Sequence, residues 1–131
     1  MNGDKFLFDT NTVIYYLTET ELSQSALGRL ENICRVQINI SVITKLELLG
    51  FNFLTKEDEY LAKEFISGSN VYQINPQIED ETIQLRKDSK IKLPDAVIAA
   101  TAISHNFTLI TRNFGDFKTI AKLNIVNPFD W

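Results

Sequence analysis

The stretch Leu93-Pro94-Asp95-Ala96-Val97-Ile98-Ala99-Ala100-Thr101-Ala102-Ile103-Ser104-His105, with Thr108-Leu109-Ile110-Thr111 soon after it, decides the fold. From Asp95 to His105 the side chains are mostly alanine and small apolar residues. They predict a helix whose axis can approach a sheet closely. Thr108 to Thr111 then reads as a strand. Working upstream, Lys90 to Leu93 is a loop, and Pro76 opens a helix to about Ser89, since proline is tolerated in a first helical turn. Val71 to Ile74 is a strand. Lys56 to Ile66 is a helix stopped by Ser67-Gly68-Ser69. Val42 to Phe51 is another, with Leu46, Leu49 and Phe53 at helical spacing. Val36 to Ile40 alternates and is β-branched, hence a strand. Glu21 to Cys34 is a helix with Leu22, Ala26, Leu27 and Leu30 on one face, and Asn11 to Leu17 is the first helix. Lys5 to Phe8 is a short apolar run ended by Asp9. Downstream, Asn113-Phe114-Gly115 is a turn, Phe117 to Leu123 a helix and Ile125-Val126 a last strand. Short strands alternating with helices predict an α/β layer architecture. It has a small parallel β-sheet flanked by helices on both faces.

The composition is compatible with one such domain over residues 1–131. With 44% hydrophobic and 23% charged residues the chain is ordinary for a globular protein, which excludes disorder and coiled coil as the main architecture. Cys34 is the sole cysteine, so an internal disulfide is impossible and the expected compartment is the cytoplasm. No apolar run approaches the ~18 residues of a membrane helix. The start, Met1-Asn2-Gly3-Asp4-Lys5, does not read as a signal peptide, and no membrane partner is expected. The net charge is −4, which argues against holding nucleic acid by bulk positive charge. The charge is unevenly spread: residues 1–83 sum to −7 and residues 84–131 to +3. A polyanion site is therefore expected toward the C-terminal third, unless bound cations change the local sign.

Open parallel sheets bind ligands outside the C-terminal ends of their strands. Asp9 follows the first strand. Glu47 lies early in the helix after the second. Asp95 opens the alanine-rich helix, and Asp116 follows the turn after strand 108–111. Each acid also has a local reading. Asp9 can be an N-cap, and Thr44-x-x-Glu47 matches a capping box. Asp95 can complement a helix dipole, and Asp116 can cap the last helix. Together, four acids aimed at one edge are harder to explain as caps. Clustered carboxylates repel unless a cation sits among them. Oxygen-only ligands suit Mg²⁺ or Mn²⁺, ions that activate water and offset the charge of phosphoryl transfer.

Phe6-Leu7-Phe8-Asp9-Thr10-Asn11 opens an ordered set of motifs. Ile43-Thr44-x-x-Glu47-Leu48-x-Gly50 comes next, then Leu93-Pro94-Asp95-Ala96-x-Ile98-Ala99-Ala100-Thr101-Ala102. Leu109-Ile110-Thr111-Arg112-Asn113-x-x-Asp116-Phe117 completes it. In this order the set resembles the motifs of the PIN-domain nucleases, and the length and spacing are similar to the VapC toxins of bacterial toxin–antitoxin pairs. The resemblance implies a Mg²⁺/Mn²⁺-dependent endoribonuclease, the toxin of a type II pair. Such an enzyme hydrolyses RNA phosphodiesters, in tRNA or rRNA, with metal-activated water. It implies that Asp9, Glu47, Asp95 and Asp116 are the catalytic, metal-holding acids. Thr111 matches a hydroxyl position near the metal. Asn113 stands where some members carry Asp, so one potential ligand is neutral here. A cognate antitoxin and a homodimer are also implied.

Thr10 and Asn11 either support the site or start a helix. Arg86, Lys87, Lys90 and Lys92 precede Asp95 and are candidates for RNA phosphate contacts, as is Arg112 inside the fourth motif. His105, at a helix C-terminus, offsets the dipole there. Cys34 lacks a histidine partner and reads as packing, and Trp131 has no assigned role. Two other functions are compatible with parts of the sequence. Phe8-Asp9-Thr10-Asn11 faintly resembles the start of a HAD-like phosphatase, although the second Asp is Asn11. A non-catalytic PIN-like module that binds RNA or a partner is the other, and the full set of acids argues against it.

Overall fold

A computed structural model describes residues 5–131; the reading of Met1–Asp4 lies outside the described residues. The strands are β1 (Phe6–Phe8), β2 (Asn39–Ser41), β3 (Asn70–Tyr72), β4 (Thr108–Ile110) and β5 (Asn124–Val126). The helices are α1 (Thr10–Thr18), α2 (Gln24–Val36), α3 (Val42–Leu49), α4 (Lys56–Ser67), α5 (Pro76–Asp88), α6 (Leu93–His105) and α7 (Phe114–Phe117). A 3-10 turn, Pro128–Asp130, follows β5.

All pairing is parallel, in two ladders ordered β1-β4-β5 and β2-β3. They are joined where β2 runs beside β1 through a side chain. Asn39 Nδ2 donates to Phe6 O at 2.9 Å, while its Oδ1 accepts from Asn70 Nδ2 at 3.1 Å and from Tyr72 Oη at 3.3 Å. A buried asparagine thus stands in for ladder bonds at this seam, and its polar atoms are satisfied as burial demands.

Strand alternation sorts the core into two halves. Leu7 and Leu109 face α5 and α6 and pack with Ile78, Ala96, Ala99 and Ala100. Phe8, Ile40 and Ile110 point the other way, onto Val13, Leu30, Leu48 and Phe65 of α1–α4. Helices therefore cover both faces, as expected for parallel strands. The alanines of α6 are fully buried, which is why this helix lies close on the sheet. It ends at Asn106, whose left-handed conformation (φ 57°) turns the chain into β4.

Several boundaries differ from the sequence reading. The helix expected from Glu21 begins at Gln24, because Ser23 is its N-cap, and it runs on through Val36. Val36 is consequently helical and 87% exposed, not the start of a strand. The second strand begins only at Asn39, and the third sits at 70–72 rather than 71–74. The third helix stops at Leu49, and Leu93 belongs to α6 rather than to the loop. The largest correction concerns 113–123. The expected turn is helix α7, and the expected helix 117–123 is a run of turns, with Ile120 N bonding Phe117 O and Leu123 N bonding Ile120 O, both at 3.1 Å.

Candidate active site

Asp9 follows β1 directly. Its backbone is extended, its N–H still bonds Ile110 O at 3.1 Å, and its Oδ1 caps α1 by accepting from Thr10 N at 2.8 Å. Thr111 stands in the same place after β4, and the register Phe8↔Ile110 sets the two side by side. The buried Thr111 hydroxyl donates to Asp9 Oδ2 at 2.7 Å and accepts the Asn113 N–H at 2.9 Å. Asn113 caps α7, and its Nδ2 donates to Asp116 Oδ2 at 2.7 Å. A continuous chain of hydrogen bonds therefore links Asp9 to Asp116 through Thr111 and Asn113.

Thr10 makes the equivalent link on the other side. Its Oγ1 lies 2.5 Å from Glu47 Oε1 and 3.0 Å from Thr44 Oγ1. One hydroxyl proton cannot serve both oxygens, and the carboxylate is the stronger acceptor. Thr44 is fully buried one turn before Glu47 on α3, so both residues face α1. Thr44 is thus not a cap: Ser41 caps α3, its hydroxyl oxygen accepting from Ile43 N at 3.1 Å, and the capping-box reading is corrected. The N-cap role expected of Asp116 likewise belongs to Asn113, whereas Asp9 is both an N-cap and part of the cluster.

Asp95 is the third residue of α6, after Lys92, a cap position without a side-chain hydrogen bond. Its carboxyl is pushed up to about 6. Burial is the main cause, repulsion from Asp9, Asp116 and Glu47 adds to it, and Lys92 opposes it. Asp9 is also raised above the usual carboxylate value, first by burial. The hydrogen bonds from Thr111 and Thr10 oppose the rise, and the charge of Glu47 adds to it. The four acids therefore feel one another, and among the described residues none of them forms an ion pair with Lys, Arg or His.

Among the described residues no three acids, histidines or cysteines converge closely enough to clasp one ion directly. Mg²⁺ does not ask for that, since it keeps several waters and uses one or two carboxylates as direct ligands. An all-oxygen, uncompensated set of this kind fits a hydrated hard cation.

The basic candidates part company. Lys92 lies near enough to Asp95 to act on its charge. Arg112 lines a cleft of about 320 Å³ with Asp9, Asn11, Tyr15 and Asn113. Arg86, by contrast, is tied to Ile91 O at 2.9 Å and braces the turn before α6. Lys90 borders another cleft with Thr119 and Lys122, and Lys87 is exposed on α5. Asn11 is exposed at the cleft. His105 packs in the last turn of α6 against Tyr72 and Phe107 (centroids 4.5 and 5.6 Å). Burial raises the Cys34 thiol to about 11, which suits packing rather than reactivity. Trp131 gains a role: it lies under Arg29, 4.3 Å from the ring centroid, and its carbonyl accepts from Ser23 Oγ at 2.8 Å. Sequence reasoning passed over Thr44 and Tyr15 as site residues. Their signal was one helical turn of spacing to Glu47 and to Asn11.

An α/β domain with four acids gathered at the carboxyl ends of parallel strands is the class that the fold and site define. Within that class the chain belongs to the PIN domain family, whose profile matches residues 6–123. It is similar to a chain of a toxin–antitoxin complex from Klebsiella pneumoniae, at 32% identity and TM-score 0.73, covering 95% of this chain and 98% of that one. A chain of VapBC-1 from nontypeable Haemophilus influenzae matches at 25% identity and TM-score 0.75, covering 94% and 97%. DNA-bound VapBC from Salmonella typhimurium shares the fold at TM-score 0.80 and 24% identity, covering 96% and 99%. No curated protein sequence matches the chain. The chain is thus a PIN domain of the VapC type, a group that is nucleolytic in general and generally uses divalent metal ions. The HAD-like alternative is set aside, because the PIN domain profile matches nearly the whole chain.

Proposed function

We propose that the chain, as one domain over residues 1–131, is a Mg²⁺/Mn²⁺-dependent endoribonuclease. It acts as the toxin of a type II toxin–antitoxin pair in the cytoplasm. The observation that carries this reading is the mutual repulsion felt among Asp9, Glu47, Asp95 and Asp116, which come from four separate elements, with Asp9 and Asp95 held above the usual carboxylate value. A bound divalent ion supplies positive charge that lowers the pKa of water and offsets the phosphoryl charge of the transition state.

The chain's own residues do the rest. Thr111 and Thr10 fix both oxygens of Asp9, so the carboxylate is oriented before any ligand arrives. Thr10 holds Glu47, and Asn113 holds Asp116. Such outer partners typically matter about 10–100-fold in affinity or activity. Lys92 and Arg112 supply positive charge for RNA phosphates beside the acids, and Arg86, Lys87 and Lys90 add to the basic field behind them. The substrate class is structured RNA, tRNA or rRNA, and the similarity to toxin–antitoxin complexes supports a cognate antitoxin as protein partner. A homodimer is the expected assembly.

The test is substitution within the acid set. Asp9→Asn, Glu47→Gln, Asp95→Asn and Asp116→Asn should each abolish cutting of total RNA while the protein stays folded by circular dichroism. Full activity in Asp9→Asn and Asp95→Asn together would sink the proposal.

A further inference from the structure

Arg112 is the candidate RNA contact that borders the cleft at Asp9 and is held there by aromatic side chains. Its guanidinium lies 4.2 Å from the centroid of Phe129 and 5.9 Å from that of Tyr15, and its Nη1 donates to Tyr15 Oη at 3.3 Å. Tyr15 and Phe129 meet edge to face at 5.8 Å, so the three groups form a closed triangle. Among the described residues this is the only side-chain hydrogen bond Arg112 makes and it has no carboxylate partner, although it borders the same cleft as Asp9. Four N–H donors of a five-donor group are left without a side-chain bond among the described residues.

The aromatic support comes from the C-terminal end. Phe129 sits in the 3-10 turn, fixed by Asn127 Oδ1, which accepts from Phe129 N at 2.9 Å. The end of that turn is pinned to α2, since Ser23 Oγ donates to Trp131 O and Arg29 covers the indole. An arginine stacked on an aromatic ring gives up few rotamers when it binds, and its planar fork matches the geometry of a phosphate.

We infer that Tyr15 and Phe129 are positioning residues that hold Arg112 as a phosphate clamp for the RNA strand. The clamp grips a phosphate flanking the one at the acids. The C-terminal turn is thereby part of the substrate site. This rests on the ribonuclease reading above.

The test is a double-mutant cycle on RNA affinity. A fluorescein-labelled tRNA is titrated by anisotropy in EDTA, and again with Mg²⁺ on Asp95→Asn protein. Arg112→Ala should weaken binding about tenfold or more, as loss of charged hydrogen bonds does, and flatten the salt dependence by about one phosphate. Phe129→Leu, which keeps apolar bulk, should weaken it roughly two- to fivefold, and Phe129→Tyr should restore it. The decisive arm is Phe129→Leu in the Arg112→Ala background, where it should have no further effect. A purely structural role would instead give additive losses in the double variant and no rescue by Tyr, and would overturn the clamp. RNA binding by wild type with no change in any of these variants would also overturn it, leaving the ribonuclease reading intact. Absence of RNA binding, by wild type in EDTA and by Asp95→Asn in Mg²⁺ alike, would overturn the two readings together.

Discussion

Asp95→Asn keeps the size of the side chain and removes its charge, which makes it the most informative single change. The folded carboxyl sits at about 6 against an ordinary 3.8. A difference of about two pH units is nominally ~3 kcal/mol. The group is half-buried, so solvent screening cuts this to about 1–1.5 kcal/mol. A charge in the first turn of α6 also gains roughly 0.3–0.5 kcal/mol from the helix dipole, which the variant forfeits. The net expectation is that metal-free Asp95→Asn is more stable than wild type by about 1 kcal/mol near neutral pH. In Tm that is a rise of about 3–5 °C. The pH dependence has a definite sign. A folded pKa above the unfolded one means that the stability linked to protonation is fully present below ~4 and is lost as pH rises through about 6. The gap between variant and wild type should therefore close as pH falls through that window. Saturating Mg²⁺ should raise the wild-type Tm by mass action and the variant's much less. Thermal melts in EDTA and in Mg²⁺, across that pH range, give the answer. A variant that melts below wild type in EDTA at neutral pH would refute the reasoning from burial and like charge and return Asp95 to a helix-terminal role.

Two further perturbations probe the frame around the acids. Thr111→Val removes the donor to Asp9 and the acceptor for the half-buried Asn113 N–H, and should cost about 1–3 kcal/mol in urea unfolding. It should also move the acid limb of the cleavage pH profile upward, because the hydrogen bond that holds Asp9 down is gone. Asn39→Ala removes the side chain that joins β2 to β1 and leaves Phe6 O and Tyr72 Oη without that partner. Equilibrium unfolding should report a loss of roughly 2–3 kcal/mol, and a loss under ~0.5 kcal/mol would mean that the seam contributes little.

The parts legible in the sequence were those where local and tertiary signals agree. Asp95 to His105 could only be a buried helix, and Leu7/Phe8 and Leu109/Ile110 alternate as strands buried on both faces must. Where they disagree, the reading slipped. Phe117, Ile120 and Leu123 recur every third residue, which mimics a helix. Successive turns bonded at the same spacing bury the same three side chains. Val36 has the β-branched character of a strand, but Ser23 starts α2 late and the helix continues past it. The four acids were visible as a set through their places after strands and at helix starts. The hydrogen bonds between them were not, because Thr10, Thr111 and Asn113 are brought to the acids by contacts between separate elements or also serve as a local cap. The aromatic seat of Arg112 joins α1 to the far C-terminus, a contact that no local pattern encodes.

The central claim is that the acid cluster is a metal-dependent ribonuclease centre, and mapping the ends of cleaved RNA tests it most directly. Purified chain, free of any antitoxin, is incubated with tRNA and rRNA in Mg²⁺, in Mn²⁺ and in EDTA. The account predicts cutting with either metal, none in EDTA, and products ending in a 5′-phosphate and a 3′-hydroxyl, since no histidine or lysine pair stands at the acids to activate the ribose. Equal cutting in EDTA, or a 2′,3′-cyclic phosphate on the products, would contradict it.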